Sequence, residues 1–173
     1  MATPEQFSKR MRQYGKQLGE AANLIGAQAG VAIGKSVVRG TPIDTGRAKS
    51  NWQASRVNPR TRTRPAYAKG KYDSTEAANE AAAIAQIVAE CRSRKNNQPL
   101  FITNNLDYIG LLESFYFYGE GGHKRAKPVP QSKYQPGFVQ IALQAGREEI
   151  RNTQLIKRAL SEAGISGVSI EVV

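Results

Sequence analysis

The chain has 173 residues, with 25 Lys and Arg against 14 Asp and Glu and a formal net charge of +11 at pH 7. This length fits one domain, with or without an extended arm, and can bury a sizeable core. A single cysteine and a single histidine exclude an intrachain disulfide, a cysteine-cluster zinc site and paired-histidine metal motifs. We therefore expect no metal and no cofactor.

The basic charge is concentrated in the first part of the chain. Residues 9–72 hold 14 basic and two acidic side chains, whereas residues 73–123 hold three basic and seven acidic ones. Such asymmetry favours a polyanionic partner, which is nucleic acid, an anionic surface, or the acidic face of another protein or another copy of this chain. Charge alone does not choose among these partners.

No segment of the sequence is typical of membrane insertion or export. There is no run of eighteen apolar residues, and the start MATPEQFSKRMRQ lacks the apolar segment of a secretory signal. We expect no membrane partner and a cytoplasmic origin.

The first forty residues are predicted to form one long helix, because apolar residues recur at alternating steps of four and three: Phe7, Met11, Tyr14, Leu18, Ala21 and Ile25. Thr3 can cap its start, with Pro4 as the first helical residue. The Gly- and Ala-rich stretch GAQAGVAIGKS that follows allows close packing or fraying, and we favour close packing. The helix is expected to end near Gly40, a C′ glycine, because Pro42 follows.

A strand is predicted over residues 52–57, followed by a basic arm at about 58–72. The arm, NPRTRTRPAYAKGKY, holds two prolines and five Arg or Lys, and no packed core can be built from it. We expect it to be mobile alone and ordered only against a partner. Its basic and aromatic character is typical of nucleic-acid contacts, although a solvated loop is an equal alternative. The candidate partner contacts are Arg56, Arg60, Arg62, Arg64, Lys69 and Lys71.

A second helix is predicted from Asp73, which with Glu76 resembles a capping box, to the basic residues 92–95. Its apolar stripe would consist of Ala77, Ala81, Ile84, Val88 and Cys91. Cys91 is then a small core residue rather than a reactive thiol.

The remaining pattern completes an α+β domain. PLFITNN predicts a strand buried on both faces, and the LDYIGLLESFYFYG after it is core or interface. A last helical region is predicted from residue 136 or 137 to about Ala163, and a half-buried C-terminal strand at about 167–173. We therefore predict a single domain over 1–173, with a long N-terminal helix and two further helices on a small mixed or antiparallel sheet and an extended basic loop.

Three patterns suggest catalysis, and each has a simpler interpretation. AGVAIGKS is close to a phosphate-binding loop, but Ala29 stands at its first required glycine and a helix precedes it. Asp44-Thr45-Gly46 matches the aspartic-protease triplet, yet no second such triplet occurs. His123 has no Ser, Cys or carboxylate at a catalytic spacing. We expect no enzyme and no catalytic residue, with Asp44 accepting from backbone N–H groups and Gly46 supplying a positive φ.

The stretch TPIDTGRAKSNW resembles the signature of tailed-bacteriophage neck and tail-completion proteins, a turn between a long first helix and the first strand. The matching residues are Thr41, Pro42, Ile43, Asp44, Thr45, Gly46 and Arg47. A second block, TNNLDYIGLLESFYFYG, is similar through Tyr108, Glu113 and Gly119, and a third, GFVQIALQ, through Phe138 and Ala142. The resemblance covers roughly residues 5–150, apart from the basic insert 58–71. Ala48 departs from it, because the family usually has a larger aliphatic residue there.

The resemblance implies a structural virion protein that forms a ring, commonly a hexamer, at the head-tail junction after synthesis in the host cytoplasm. It would close the tail tube and receive the head-tail connector or stopper protein around the channel through which DNA passes. Six copies of formal charge +11 would hardly close unless basic faces met acidic ones, and segment 73–123 of the next copy is the expected complement. The alternative is a nucleic-acid-binding module that uses residues 56–71.

Overall fold

The computed structural model describes residues 3–42, 45–70, 74–95, 97–113, 137–167 and 170. Within these ranges the elements follow one another as α1 (Pro4–Gly40), α2 (Arg47–Ser50), β1 (Gln53–Ser55), α3 (Glu76–Arg92), β2 (Phe101–Thr103), α4 (Ile109–Glu113), α5 (Phe138–Arg151) and α6 (Thr153–Glu162). The predicted α+β class with a long N-terminal helix is confirmed. Within the described ranges there are five further helices, where two were predicted.

Both ends of α1 follow the predicted signals. Thr3 Oγ1 accepts from the Gln6 N–H at 3.2 Å, and Gln6 Oε1 accepts from the Thr3 N–H at 3.0 Å, which makes a complete capping box. Gly40 is the last helical residue. Thr41 leaves the helix in an extended conformation, with φ −71° and ψ 125°, as expected for the residue before Pro42. Gly40 itself is therefore helical rather than the C′ residue that we predicted.

The Gly- and Ala-rich second half of α1 packs closely against other elements, as predicted. A Cβ at Gly30 would lie 2.2 Å from Leu100 Cδ2, and one at Gly34 would lie 2.3 Å from Ile87 Cγ2 on α3. Gly146 on α5 is the reverse case, because a Cβ there would lie 2.4 Å from Cγ1 of an α1 isoleucine. The absent side chains allow α3 and α5 to approach the α1 backbone directly.

The main core lies where α1, α3, α5 and β1 meet. Its buried members are Val31, Val37, Val38, Trp52, Ala54, Ala83, Ile87, Cys91, Phe138 and Ala142. A smaller cluster of Ala21, Ala159 and Ala163 joins α1 to α6. Cys91 is fully buried, and burial, with a smaller contribution from the charge of Glu90, raises the pKa of its thiol to about 11. The thiol is protonated at neutral pH, so the interpretation of Cys91 as a core residue is confirmed.

The core face of α3 differs from the predicted stripe. Its buried residues are Asn79, Ala83, Ile87 and Cys91, whereas Ala77 and Ala81 are exposed. The stripe was misplaced because a polar side chain, Asn79, occupies a core position. The predicted capping residue, Asp73, lies outside the described residues, and Thr75 stands at the N-cap without a side-chain capping bond.

The sheet consists of β1 and β2, paired antiparallel with Gln53 opposite Thr103 and Ser55 opposite Phe101. The strand predicted over 52–57 is present in shortened form. The prediction that β2 is buried on both faces is wrong, because all three of its residues are half-buried. Helix α3 packs against β1, and β2 is the outer strand of the pair.

The last helical region is divided in two by Asn152. Its Oδ1 accepts from the N–H groups of Gln154 at 3.0 Å and Leu155 at 3.2 Å, so it ends α5 and caps α6. The predicted single helix breaks here because an asparagine side chain competes for backbone donors. The predicted C-terminal strand falls mostly outside the described residues, and residues 167 and 170, which are described, are not in a strand.

We expect Gly34→Ala to lower the free energy of unfolding by up to about 2 kcal/mol. Inserting a methyl group into a packed core costs about 1–3 kcal/mol, which exceeds the gain of about 1 kcal/mol in helix propensity. The group that must move, Ile87, is β-branched and has few alternative rotamers. Gly19→Ala is the control, because a Cβ there meets nothing within 4 Å. Urea unfolding compares the two variants, and equal stabilities would contradict the close approach of α3.

Candidate assembly site

The turn of residues 41–47, the motif turn, joins α1 to α2. Gly46 has a φ of +76°, which confirms the predicted positive φ. A Cβ there would also lie 2.2 Å from Asn79 Nδ2, so position 46 requires glycine for two independent reasons. Ile43 and Asp44 lie outside the described residues, and with them the predicted backbone contacts of Asp44.

Helix α2 follows the turn at once and buries a lysine that the sequence did not single out. Lys49 is 1% exposed, and its Nζ lies 3.0 Å from Glu76 Oε1 and 3.1 Å from Glu80 Oε2. It also donates to the backbone carbonyl of Arg39, near the end of α1, at 3.3 Å. This lysine therefore joins α1, α2 and α3. Nothing in the sequence distinguishes it from the exposed cations nearby.

Two buried asparagines hold the basic arm against the body of the subunit. Asn51 Nδ2 donates to the Arg64 carbonyl and Asn51 Oδ1 accepts from the Arg64 N–H, both at 2.8 Å. Asn79 makes the same pair of bonds with the backbone of Ala68, both at 2.9 Å. Ser50 Oγ donates to Asn79 Oδ1 at 2.8 Å, which ties the two attachments together. Side-chain amides thus take the place of a neighbouring strand.

The expectation that the arm is ordered only against a partner is wrong for residues 58–70. Further bonds hold it, since Gln53 Nε2 donates to the Arg62 carbonyl at 2.9 Å and Thr103 Oγ1 to the Arg60 carbonyl at 3.2 Å. Tyr67 packs against the main core. The segment lacks apolar periodicity because its order depends on hydrogen bonds from distant side chains.

The six predicted partner contacts fall into two groups. Arg56 and Arg64 are engaged within the subunit: Arg56 Nε lies 2.9 Å from Glu90 Oε2, and the Arg64 guanidinium carbon lies 3.6 Å from the centre of the Tyr67 ring. The exposed cations are Arg60, Arg62 and Lys69, while Lys71 lies outside the described residues. A partner can reach the second group without breaking contacts in the subunit.

The motif turn meets the third motif block through two aromatic residues. Trp52 Nε1 donates to Thr41 Oγ1 at 2.7 Å, and its ring stands edge-on to Phe138 with the centroids 6.3 Å apart. The second block reaches the same region, because Asn104 Nδ2 donates to the Ala48 carbonyl at 2.9 Å. Residues more than eighty positions apart in sequence are therefore brought into one junction.

The second block also fixes the start of α5. Both carboxylate oxygens of Glu113 accept from the Val139 N–H, at 3.0 and 3.2 Å, which satisfies a free donor of the first helical turn. Ala142, one turn further on, is buried in the main core. Tyr108 lies in the turn before α4, and Gly119 lies outside the described residues.

The N-terminal half of α1 carries an exposed apolar stripe. Its four side chains, Phe7, Met11, Tyr14 and Leu18, are 62%, 54%, 53% and 55% exposed. The same stripe continues into Ala21 and Ile25, which pack against α6. A 4-3 apolar spacing suits packing against another helix. The exposed apolar stripe is therefore a candidate contact surface.

The acidic segment 73–123 is largely committed to contacts within its own subunit. Glu76 and Glu80 contact the buried lysine, Glu90 contacts an arginine that precedes the arm, and Glu113 caps α5. Asp107 is the exposed acid of this segment within the described part of the chain. Few of the described acidic groups of this segment remain to neutralise a neighbouring basic face.

The described residues contain no group of three or more His, Cys, Asp or Glu that could hold a metal ion. No helix within the described ranges is long and apolar enough to cross a membrane. A scan against protein-family models and searches of the curated proteins and of the solved structures found no match.

We expect Gly46→Ala to destabilise the subunit more than Gly137→Ala, by at least about 1 kcal/mol. Both glycines have a positive φ, +76° and +74°, so both variants incur roughly 1–2 kcal/mol of backbone strain. Only the methyl group at position 46 must displace Asn79, whereas a Cβ at position 137 meets nothing within 4 Å. Thermal unfolding of the two variants isolates that difference, and equal losses would contradict the contact with Asn79.

Proposed function

We propose that this chain is a structural virion protein of a tailed bacteriophage or prophage. It forms a ring at the head-tail junction, where it completes or caps the tail tube and joins it to the head connector around the DNA channel. Its partners are further copies in a hexameric ring, the tail tube protein, the connector or stopper protein, and the DNA that passes through. In this proposal the protein acts by assembly and catalyses no reaction.

The observation that carries the proposal is the meeting of the three motif blocks in one junction. Trp52 donates a hydrogen bond to Thr41 and makes an aromatic contact with Phe138. Glu113 caps the helix that begins with Phe138. Short matches that arose by chance along a chain would have no reason to pack together. Their contact supports a resemblance of architecture and not only of letters.

The exposed apolar stripe supports a role in assembly. A fully buried aromatic side chain covers about 150–250 Å². Four large side chains that are each more than half exposed therefore offer a substantial part of the roughly 800 Å² that a stable interface buries on each partner. Contiguous apolar surface of this kind marks contact sites in soluble proteins. A ring subunit needs such a surface toward its neighbours or toward the tail tube.

A nucleic-acid-binding module remains the second candidate function, favoured by the exposed cations Arg60, Arg62 and Lys69. A salt titration separates the two candidates. A dedicated binding module would bind duplex DNA tightly as a free subunit near physiological salt. The logarithm of its binding constant would fall steeply with the logarithm of the salt concentration. A neck subunit would bind DNA weakly when free, because each copy contributes few phosphate contacts.

Particles made in a host without this chain test the proposal directly. We expect electron microscopy to show heads and tails as separate particles, because the ring that joins them is missing. Supplying the parental chain from a plasmid should restore joined virions. Joined, infectious particles at the parental yield without the chain would overturn the proposal.

The double variant Met11→Gln/Leu18→Gln should lower ring formation while leaving the thermal midpoint of the subunit unchanged, since both side chains are exposed. Light scattering after size-exclusion chromatography measures the oligomer, and particle counts measure joining. Arg12→Gln/Lys16→Gln is the control, because it changes two polar positions of the same helix and keeps the exposed apolar stripe. Rings of the first variant at parental concentration would show that the stripe makes no contact between subunits.

A further inference from the structure

A cleft of about 540 Å³ lies between the motif turn and the basic arm. Its polar lining consists of Thr45, Arg47, Thr63, Arg64 and Lys69, and we call it the basic cleft. Three of these side chains are cations and two carry hydroxyl donors, while no acidic side chain of the described residues lines it. Such a lining is complementary to an anion with several acceptor oxygens.

Both walls of the basic cleft are fixed to the body of the subunit. The arm wall is attached through the two hydrogen bonds between Asn51 and the Arg64 backbone and the two between Asn79 and the Ala68 backbone. The turn wall is held where Gly46 packs directly on Asn79. The backbone of both walls is therefore positioned before any ligand arrives, which lowers the entropy cost of binding.

Arg64 has an unsatisfied donor in this wall. Its guanidinium stacks on the Tyr67 ring and donates from Nη1 to the tyrosine hydroxyl. Its Nε is buried and has no hydrogen-bond partner within the described part of the chain. Because the guanidinium is engaged with Tyr67 and its Nε is buried, the cations of the basic cleft that remain for a ligand are Arg47 and Lys69.

No acid within the described ranges neutralises the charge of the basic cleft. Arg47 and Lys69 are exposed, and neither lies in an ion pair with a described acid. Arg60 and Arg62 are exposed on the same arm and extend the positive surface away from the basic cleft. With most described acids of segment 73–123 used inside the subunit, an external polyanion fits this surface better than a second copy does.

We propose that the basic cleft binds backbone phosphate of duplex DNA. Arg47 and Lys69 supply the charged contacts, Thr45 and Thr63 supply hydroxyl donors, and Arg60 and Arg62 continue the contact along the arm. The inference rests on the proposed function in one respect, the identity of the bound DNA, which is the duplex in the channel of the ring. Phosphate contacts carry no base specificity, which suits a channel that must pass every sequence.

The expected strength follows from the number of cations. Four contacted phosphates give a log-log salt slope of roughly −4, so binding by a free subunit should be weak and should fall steeply as salt rises. Copies in a ring would act together and raise the effective affinity without any new kind of contact.

Fluorescence anisotropy of a short labelled duplex with the free chain, at low and moderate salt, tests the inference. Arg47→Gln/Lys69→Gln is expected to weaken binding at least about tenfold and to reduce the salt slope by about 2. Arg147→Gln/Lys157→Gln is the matched control, because it removes two exposed cations of α5 and α6 that lie outside the basic cleft. The control should change binding by less than about twofold at the same net charge.

Four results would overturn the inference. The cleft variant could bind DNA as the parent does, or the control could lose as much affinity, in which case net charge alone is responsible. Polyglutamate could bind the parental chain more tightly than the duplex does at equal salt. If the cleft variant lost that binding, the basic cleft would be assigned to an acidic protein. Inorganic phosphate is expected to compete poorly at matched ionic strength. If it competed as strongly per phosphate group as DNA does, the basic cleft would be assigned to free phosphate.

Particle joining distinguishes failure of this inference from failure of the proposed function. A parental chain that does not bind DNA but restores joined particles overturns the DNA contact and leaves the ring intact. A chain that binds DNA through the basic cleft but has no effect on head-tail joining overturns the ring function and leaves the DNA contact standing.

Discussion

The close approach of α3 and α5 to the backbone of α1 is the constraint on which the rest of the subunit depends. Gly30 and Gly34 leave room for α3, and Gly146 removes a side chain from the facing surface of α5. Because α3 lies this close, Asn79 comes beside the motif turn. Because α5 also lies close, Phe138 comes beside the end of α1. A Cβ placed at Gly40 would lie 2.7 Å from the Cβ of Phe138.

Asn79 connects this packing of α3 to the position of the surface segments around it. It is fully buried, and its amide is shared among the Ser50 hydroxyl, the Ala68 backbone and the Thr75 carbonyl. An amide satisfied on every side stabilises one conformation, whereas a partly satisfied one would destabilise the core. A single side chain of α3 thereby sets the position of the motif turn and of the basic arm relative to each other.

The features that sequence predicted are those fixed by local chemistry. The cap at Thr3, the end of α1 before Pro42 and the positive φ at Gly46 each depend on a few neighbouring residues. The burial of Lys49 depends on a partner about thirty positions away in sequence. The order of residues 58–70 depends on partners more than ten positions away. Such distant partners leave no periodic pattern in the sequence. The basic cleft was not predicted for the same reason, because it pairs Arg47 with Lys69 across the fold.

In the proposed ring, the first turns of α1 would couple the conformation of one molecule to the concentration of its partners. No side chain of the subunit within the described ranges comes within 4 Å of a Cβ placed at Gly15 or Gly19, so tertiary packing adds little to this part of the helix. An isolated segment of four turns lies close to the helix-coil midpoint in water. Any partner that binds only the helical form shifts that equilibrium by mass action. In the proposed ring, helicity near the N-terminus would therefore report how far assembly has advanced.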